Sequence, residues 1–364
     1  MSRMRIVTGL LLIALFAGAL VYLGRDPATA GAHGAVGATI DLSTSETCRA
    51  CHQELFAEWE HSIHSQSFTD PLVLAKEQSN NFRKEECIPC HSPAPVFEHG
   101  IGKLERVVER VTAREQGVDC LSCHRANERV VGPAKLAASS ATAACLPDGR
   151  AELASPALCA PCHNQHNTVD QWEESSFAKS GVTCLDCHMQ PVARKNADGT
   201  TRPGRSHKFP GGHDPEMLAK AYTLTTTTKP GTDGGKVLVV SVANSGCGHN
   251  FPADARHRAL DIVVTLIQPD GVEVPPRDAR SYARERGTAR RRFRNPYREE
   301  AERITNRDAW GRENTQILAG ETLTLEVPYD PASVNAARVE LIYKLTPIQF
   351  DDEGVRLHDA RVGL

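Results

Sequence analysis

Gly181-Val182-Thr183-Cys184-Leu185-Asp186-Cys187-His188-Met189 contains the string on which the reading of this chain turns. Two cysteines three positions apart, followed at once by histidine, form the Cys-x-x-Cys-His attachment signature of a c-type haem. Each sulfur adds to one vinyl group of the porphyrin, and the adjacent histidine meets the iron from the proximal side. The signature occurs five times: Cys48/Cys51/His52, Cys87/Cys90/His91, Cys120/Cys123/His124, Cys159/Cys162/His163 and Cys184/Cys187/His188. Chance would supply about 0.016 such strings in a chain of this composition. Cys-x-x-Cys also binds zinc, but zinc ribbons pair two such knuckles and need no histidine after each. Five covalently attached haem c groups are therefore expected, with His52, His91, His124, His163 and His188 as proximal iron ligands.

The 364 residues are enough for two domains. Net charge is −3, so no basic excess points to nucleic acid. Aromatics are only 5%, and five porphyrins would supply the missing apolar bulk. Ten of the twelve cysteines are spent on the motifs, leaving Cys145 and Cys247. In an oxidising compartment these two would pair; otherwise they are two buried thiols. Arg3 and Arg5 precede an apolar run over 6–23, and Ala28-Thr29-Ala30 fits a small-residue cleavage site. Residues 1–30 thus read as a signal peptide or as an N-terminal membrane anchor. Either places the rest of the chain outside the cytoplasm, in the periplasm or an equivalent exported location.

Residues 31–46 read as a linker and 47–215 as the haem domain, with short helices expected over 70–83 and 103–115. In the second, Leu104, Val107, Val108 and Val111 share one helical face. Residues 193–205, polar and rich in Gly and Pro, read as a loop. The pattern then changes. Thr- and Val-rich runs at 222–228 and 236–243 flank Pro230-Gly231 and Gly234-Gly235, the signature of a hairpin with a loose loop. Further strands are expected at 260–268, 321–327 and 338–345. The fold class is α+β: a mostly helical and irregular pentahaem domain, then a small antiparallel β-sandwich over 220–364. Nine arginines between Arg277 and Arg298 mark an insertion over 277–312. It reads as a solvated, partly helical loop or as a docking patch for an acidic redox partner.

A second axial histidine makes a haem suited to electron transfer; an open position admits a small molecule. Ten histidines are not proximal: His33, His61, His64, His99, His166, His207, His213, His249, His257 and His358. Only Met189 and Met217 lie beyond the N-terminal segment. Bis-histidine ligation should dominate, which gives lower potentials than histidine–methionine ligation. His99 and His166 are distal candidates by their closeness to motifs. His61 and His257 read as surface residues, and His33 and His358 lie near the ends.

Trp59-Glu60-His61-Ser62-Ile63-His64 resembles the Trp-x-x-Ser-x-His element of the cytochrome c-554 and c-prime family, which implies His64 as a distal ligand. The last motif with its flanks is similar to that of the same family and of the pentahaem nitrite reductases. Ser206-His207-Lys208-Phe209-Pro210-Gly211-Gly212-His213 resembles the ligand-bearing element that follows it, implying His207 and His213. Gly248-His249-Asn250-Phe251-Pro252 looks like the Gly-His-x-x-Pro turn of multihaem cytochromes with an appended β-domain, implying His249.

The reading is an exported pentahaem electron carrier rather than an enzyme. Its partners would be other cytochromes or a quinol-linked membrane complex, with membrane contact only if the N-terminal segment is retained. The alternative is a reductase of nitrite, hydroxylamine or a sulfur oxyanion at one five-coordinate haem. Against it, all five motifs end in histidine, where pentahaem nitrite reductases use Cys-x-x-Cys-Lys at the catalytic haem. A membrane-anchored quinol-oxidising subunit is a third option that the β-domain does not resemble.

Overall fold

A computed structural model describes residues 40–71, 73–74, 84–133, 145–195, 199–253, 258–274, 276, 289–295 and 314–364. The signal-or-anchor segment, His33, His257, most of the 70–83 segment and most of the arginine-rich insertion lie outside these residues. No helix among the described residues is long and apolar enough to cross a membrane.

The N-terminal half is built of short helices, and the motifs sit on them. Three motifs lie wholly within a helix (Lys84–His91, Cys120–His124 and Cys184–His188), and the fourth within the turn that Cys159 caps, Ala160–His163. The first is split between Glu46–Arg49 and Gln53–Glu60, yet His52 N still donates to Cys48 O at 2.9 Å, a helical turn. Helical spacing accounts for the motif itself, because positions i, i+3 and i+4 share one face. Two of these helices are started by reciprocal caps, Asp119 with Ser122 and Thr183 with Asp186.

Small sheets brace this half. β1 (Arg125–Ala126), β2 (Arg129–Gly132) and β3 (Asp148–Gly149) form one, and β4 (Pro191–Lys195) with β5 (Thr201–Arg205) form an antiparallel hairpin. The segment read as a loop over 193–205 is therefore a hairpin; its Gly and Pro serve an edge pairing rather than a coil.

The expected helix over 103–115 is absent: residues 105–108 have no regular secondary structure, Glu109 bridges Pro93, Ala94 N donates to Val108 O and Arg110 N to Ser92 O. Its four apolar residues have the spacing of a helical face, but only Val107 is partly buried and Leu104 is 94% exposed. Arg110 decides the matter, with its guanidinium 2.7 Å from the buried Asp119 carboxylate and on the Ala113 and Gly117 carbonyls. A helix would pull it away and leave Asp119 unpaired.

The C-terminal half is a β-sandwich. β6 (Thr223–Pro230), β7 (Lys236–Ala243) and β11 (Thr322–Tyr329) make one sheet in the order β11-β7-β6. β8 (Ala259–Ile267), β9 (Glu273–Val274), β10 (Ala289–Phe293), β12 (Ala336–Lys344) and β13 (Val355–Gly363) make the other, in the order β10-β8-β12-β13 with β9 on β8. Leu238, Val240 and Val242 of one sheet pack on Leu260, Ile262, Val264, Val339 and Leu341 of the other. β8 and β12 are central and buried almost throughout, whereas β7 alternates inward and outward residues.

The arginine run is corrected where it is described. Residues 289–293 are a core-sheet strand paired with β8, and Arg290 and Arg294 are buried. Arg290 and Arg292 both reach the buried Asp261 at 2.6 Å, and Lys344 Nζ stands 2.7 Å from Asp351. Ion pairing makes residues 289–294 part of the sheet rather than a solvated loop, while Arg277, Arg280, Arg284, Arg286 and Arg298 lie outside the described residues. β13 was not anticipated: its alternation of Val, Leu, Arg, His and Asp carries a weak apolar signal because it is an edge strand.

Candidate haem sites

The five helical turns lie close together. The Cys48 sulfur meets that of Cys120, Cys90 meets Cys162, and Cys159 meets Cys184. Cys123 lies near both Cys159 and Cys162. The motifs are thus linked first to third, third to fourth, fourth to fifth, and second to fourth.

The proximal rings are oriented from behind. His91 Nδ1–H donates to Ser67 O at 2.8 Å, His124 Nδ1–H to Val131 O at 2.9 Å and His188 Nδ1–H to Pro210 O at 2.7 Å. A carbonyl only accepts, so the proton resides on Nδ1 and the Nε2 lone pair is left for a metal.

Three proximal rings each face a second imidazole. Centroids are 6.2 Å apart for His163 and His64, 6.3 Å for His124 and His207, and 6.3 Å for His188 and His249. The ring planes are inclined by 45°, 30° and 17° respectively. An imidazole nitrogen stands about 2.0 Å from a bound first-row metal ion and about 1.1 Å from its own ring centre, so two imidazoles across one ion have centroids about 6.2 Å apart. The spacing of all three pairs fits one iron between them. His207 and His249 also donate Nδ1–H to carbonyls, Arg205 O and Asn250 O, each at 3.0 Å. Burial, then the neighbouring His163, pushes His64 down to about 3; burial, then His124, pushes His207 down to about 4. Burial holds His124 and His188 below the usual histidine range as well. These imidazoles are neutral at pH 7, the form that ligates iron.

His249 comes from the sandwich. Its turn docks on the helical half through Gly248 against Trp172 and Phe177, and it is anchored at the start of the sandwich by Gly246, whose Cβ, were there one, would stand 1.8 Å from Lys220 O. Asn250 N donates to Gln171 Oε1 at 3.1 Å. Glycine is required here because the backbones touch.

The other candidates lie elsewhere. His213 Nε2 accepts a hydrogen bond from the Arg258 guanidinium at 2.9 Å, and its ring is in none of the three facing pairs. His99 ends the helix Val96–His99 on the exposed side, and His166 lies in the turn before Thr168–Glu174. Among the described residues, no second histidine ring faces His52 or His91 in the manner of the three pairs. Cys145 and Cys247 are free thiols at different sites, the first beside Cys51, the second pushed up to about 12 by burial and then by Cys187.

Sequence reasoning missed a clamp behind His207. Glu58 accepts from Arg194 at 2.9 and 2.5 Å and from His207 N at 2.8 Å, and Arg194 also donates to Arg205 O at 2.9 Å. Burial alone would raise the Glu58 carboxyl, but the bonds from Arg194 and His207 N–H outweigh it and hold the group below its usual range. No local signal marks a pair 136 residues apart.

Paired thiols on helical turns, each followed by an imidazole, fit covalent haem, and five of them on this fold define a multihaem c-type cytochrome. Residues 47–125, spanning the first three motifs, match the family model for cytochrome c554 and c-prime. Among solved structures, the chain shares its fold with a penta-heme cytochrome c552 from Thermochromatium tepidum, at 19% identity and a TM-score of 0.64, over 88% of this chain and 98% of that one. No curated protein matches.

Proposed function

We propose that this chain is an exported pentahaem electron carrier. The observation behind the proposal is the contiguous packing of the five motifs together with three facing imidazole pairs. In this reading His64, His207 and His249 are the second ligands at the Cys159, Cys120 and Cys184 haems. The bound haems supply one-electron iron couples. Burial holds His64, His124, His188 and His207 neutral, and backbone carbonyls fix the rings of His91, His124, His188, His207 and His249. Ligation by two fixed imidazoles leaves no position for substrate. The linked motifs give electrons a route from the first through the third and fourth to the fifth, with the second as a branch at the fourth. Redox proteins or a quinol-linked membrane complex are the proposed partners.

One observation favours a second reading, a reductase: His52 and His91 lack a facing histidine ring among the described residues. The test is carbon monoxide binding to the reduced protein combined with assays of nitrite and hydroxylamine reduction. A carrier takes up and returns five electrons without turnover. Turnover at an iron that also binds carbon monoxide would overturn the carrier reading.

A further inference from the structure

We propose that Glu58 and Arg194 set the reduction potential of the Cys120 haem by acting on His207. The inference rests on the reading of His207 as the second ligand at that haem.

The geometry makes Arg205 O the point of control. That one carbonyl accepts both the His207 Nδ1–H, at 3.0 Å, and an Arg194 N–H, at 2.9 Å. An imidazole that donates Nδ1–H to a good acceptor becomes a more basic ligand and favours ferric iron. A carbonyl already bound by a guanidinium is a poorer acceptor, so Arg194 lowers the basicity of His207. Glu58 opposes this. It draws Arg194 into a two-pronged pair and holds the His207 backbone from the same carboxylate oxygen. Arg194 is 6% exposed, so these charges are weakly screened. Space for its stem depends on Gly204, whose Cβ would stand 2.7 Å from Arg194 Cγ.

The two charges act with opposite sign on a one-electron couple. Removing the carboxylate leaves a buried cation near the ligand and commits it to Arg205 O, and both effects favour ferrous iron. Removing the cation leaves the carboxylate and frees Arg205 O for His207, and both effects favour ferric iron. A clamp that only held the loop in shape would shift the couple the same way whichever partner was lost.

The experiment is a potentiometric titration of the purified full chain, with haem content checked by mass, for Glu58→Gln, Arg194→Gln, Arg194→Lys and His207→Ala. At a fixed potential one of the five components should become about three- to tenfold more reduced in Glu58→Gln and about as much more oxidised in Arg194→Gln. Arg194→Lys, which keeps the charge, should return toward the parent. Shifts of the same sign in both Gln variants, or no shift in either, would overturn the proposal. If Glu58→Gln does not fold, the two Arg194 variants decide: equal shifts in Gln and Lys overturn it. His207→Ala tests the underlying ligand reading separately. High-spin iron there without opposite shifts sinks only the tuning role; no high-spin iron sinks the ligand reading.

Discussion

Replacing His249 with alanine tests the link between the two halves of the molecule. The ring removed is the one whose centroid lies 6.3 Å from that of His188. The turn itself should survive. Asn244 Nδ2 donates to His249 O at 2.8 Å, Asn250 N to Gln171 Oε1 at 3.1 Å and Gly246 N to Ala221 O at 3.1 Å, and alanine keeps all three bonds. Thioether attachment does not involve the second ligand, so all five haems should stay bound. The expected change is one iron in five. A single haem equivalent should become high-spin or bind carbon monoxide, one molecule more per chain than the parent. Electron paramagnetic resonance of the oxidised protein and carbon monoxide titration of the reduced protein both count it. With its metal bond gone, the sandwich should also be cut away from the helical half more readily by protease. A variant spectrum identical to the parent in both redox states would refute the placement of His249 on iron.

Denaturing mass spectrometry should find five haem additions on the mature chain; fewer, in a host competent for attachment, would remove the pentahaem reading. Asp261→Asn should destabilise the chain by about 3–5 kcal/mol, read as a lower denaturation midpoint, because it removes the buried carboxylate shared by Arg290, Arg292 and Lys344. Burial alone would raise the Asp261 carboxyl, but the pairing with Arg292, then Arg290 and Lys344, keeps it below the usual carboxylate range. Its contribution is therefore complete above about pH 4 and lost as pH falls through the depressed value, so the variant should show a shallower acid limb than the parent.

The haem motifs were legible in the sequence because their geometry is local: one helical turn brings both sulfurs and the imidazole to one face. The strands from 222 to 243 were legible for a similar reason, since apolar alternation and turn residues act within a few positions. His64, His207 and His249 came from resemblance, and each now faces a proximal ring. His213, four residues past Phe209, came from the same resemblance, and its nitrogen is held by an arginine 45 residues away. That is the general form of what the sequence concealed. The apolar spacing at 103–115 was outweighed by Arg110 on Asp119, and the arginines at 289–293 alternate as a strand because Asp261 lies on the neighbouring one. The Glu58–Arg194 clamp likewise exists only once the β4–β5 hairpin is laid against the helix Gln53–Glu60.

The sulfur contacts have a consequence for how the molecule is made. The first motif meets the third and the second meets the fourth, so for these two the neighbour in space is not the neighbour along the chain. This is not a string of beads that shortens gracefully. A nascent chain stopped after the second motif would carry two haem sites, neither with its native neighbour, and the fifth site waits for a turn made 61 residues after its own histidine (from His188 to His249). Contacts this distant in sequence form late. In the proposed reading, haem attachment proceeds on a chain that is still largely open, and the fifth site is complete only once the turn carrying His249 has docked on the helical half.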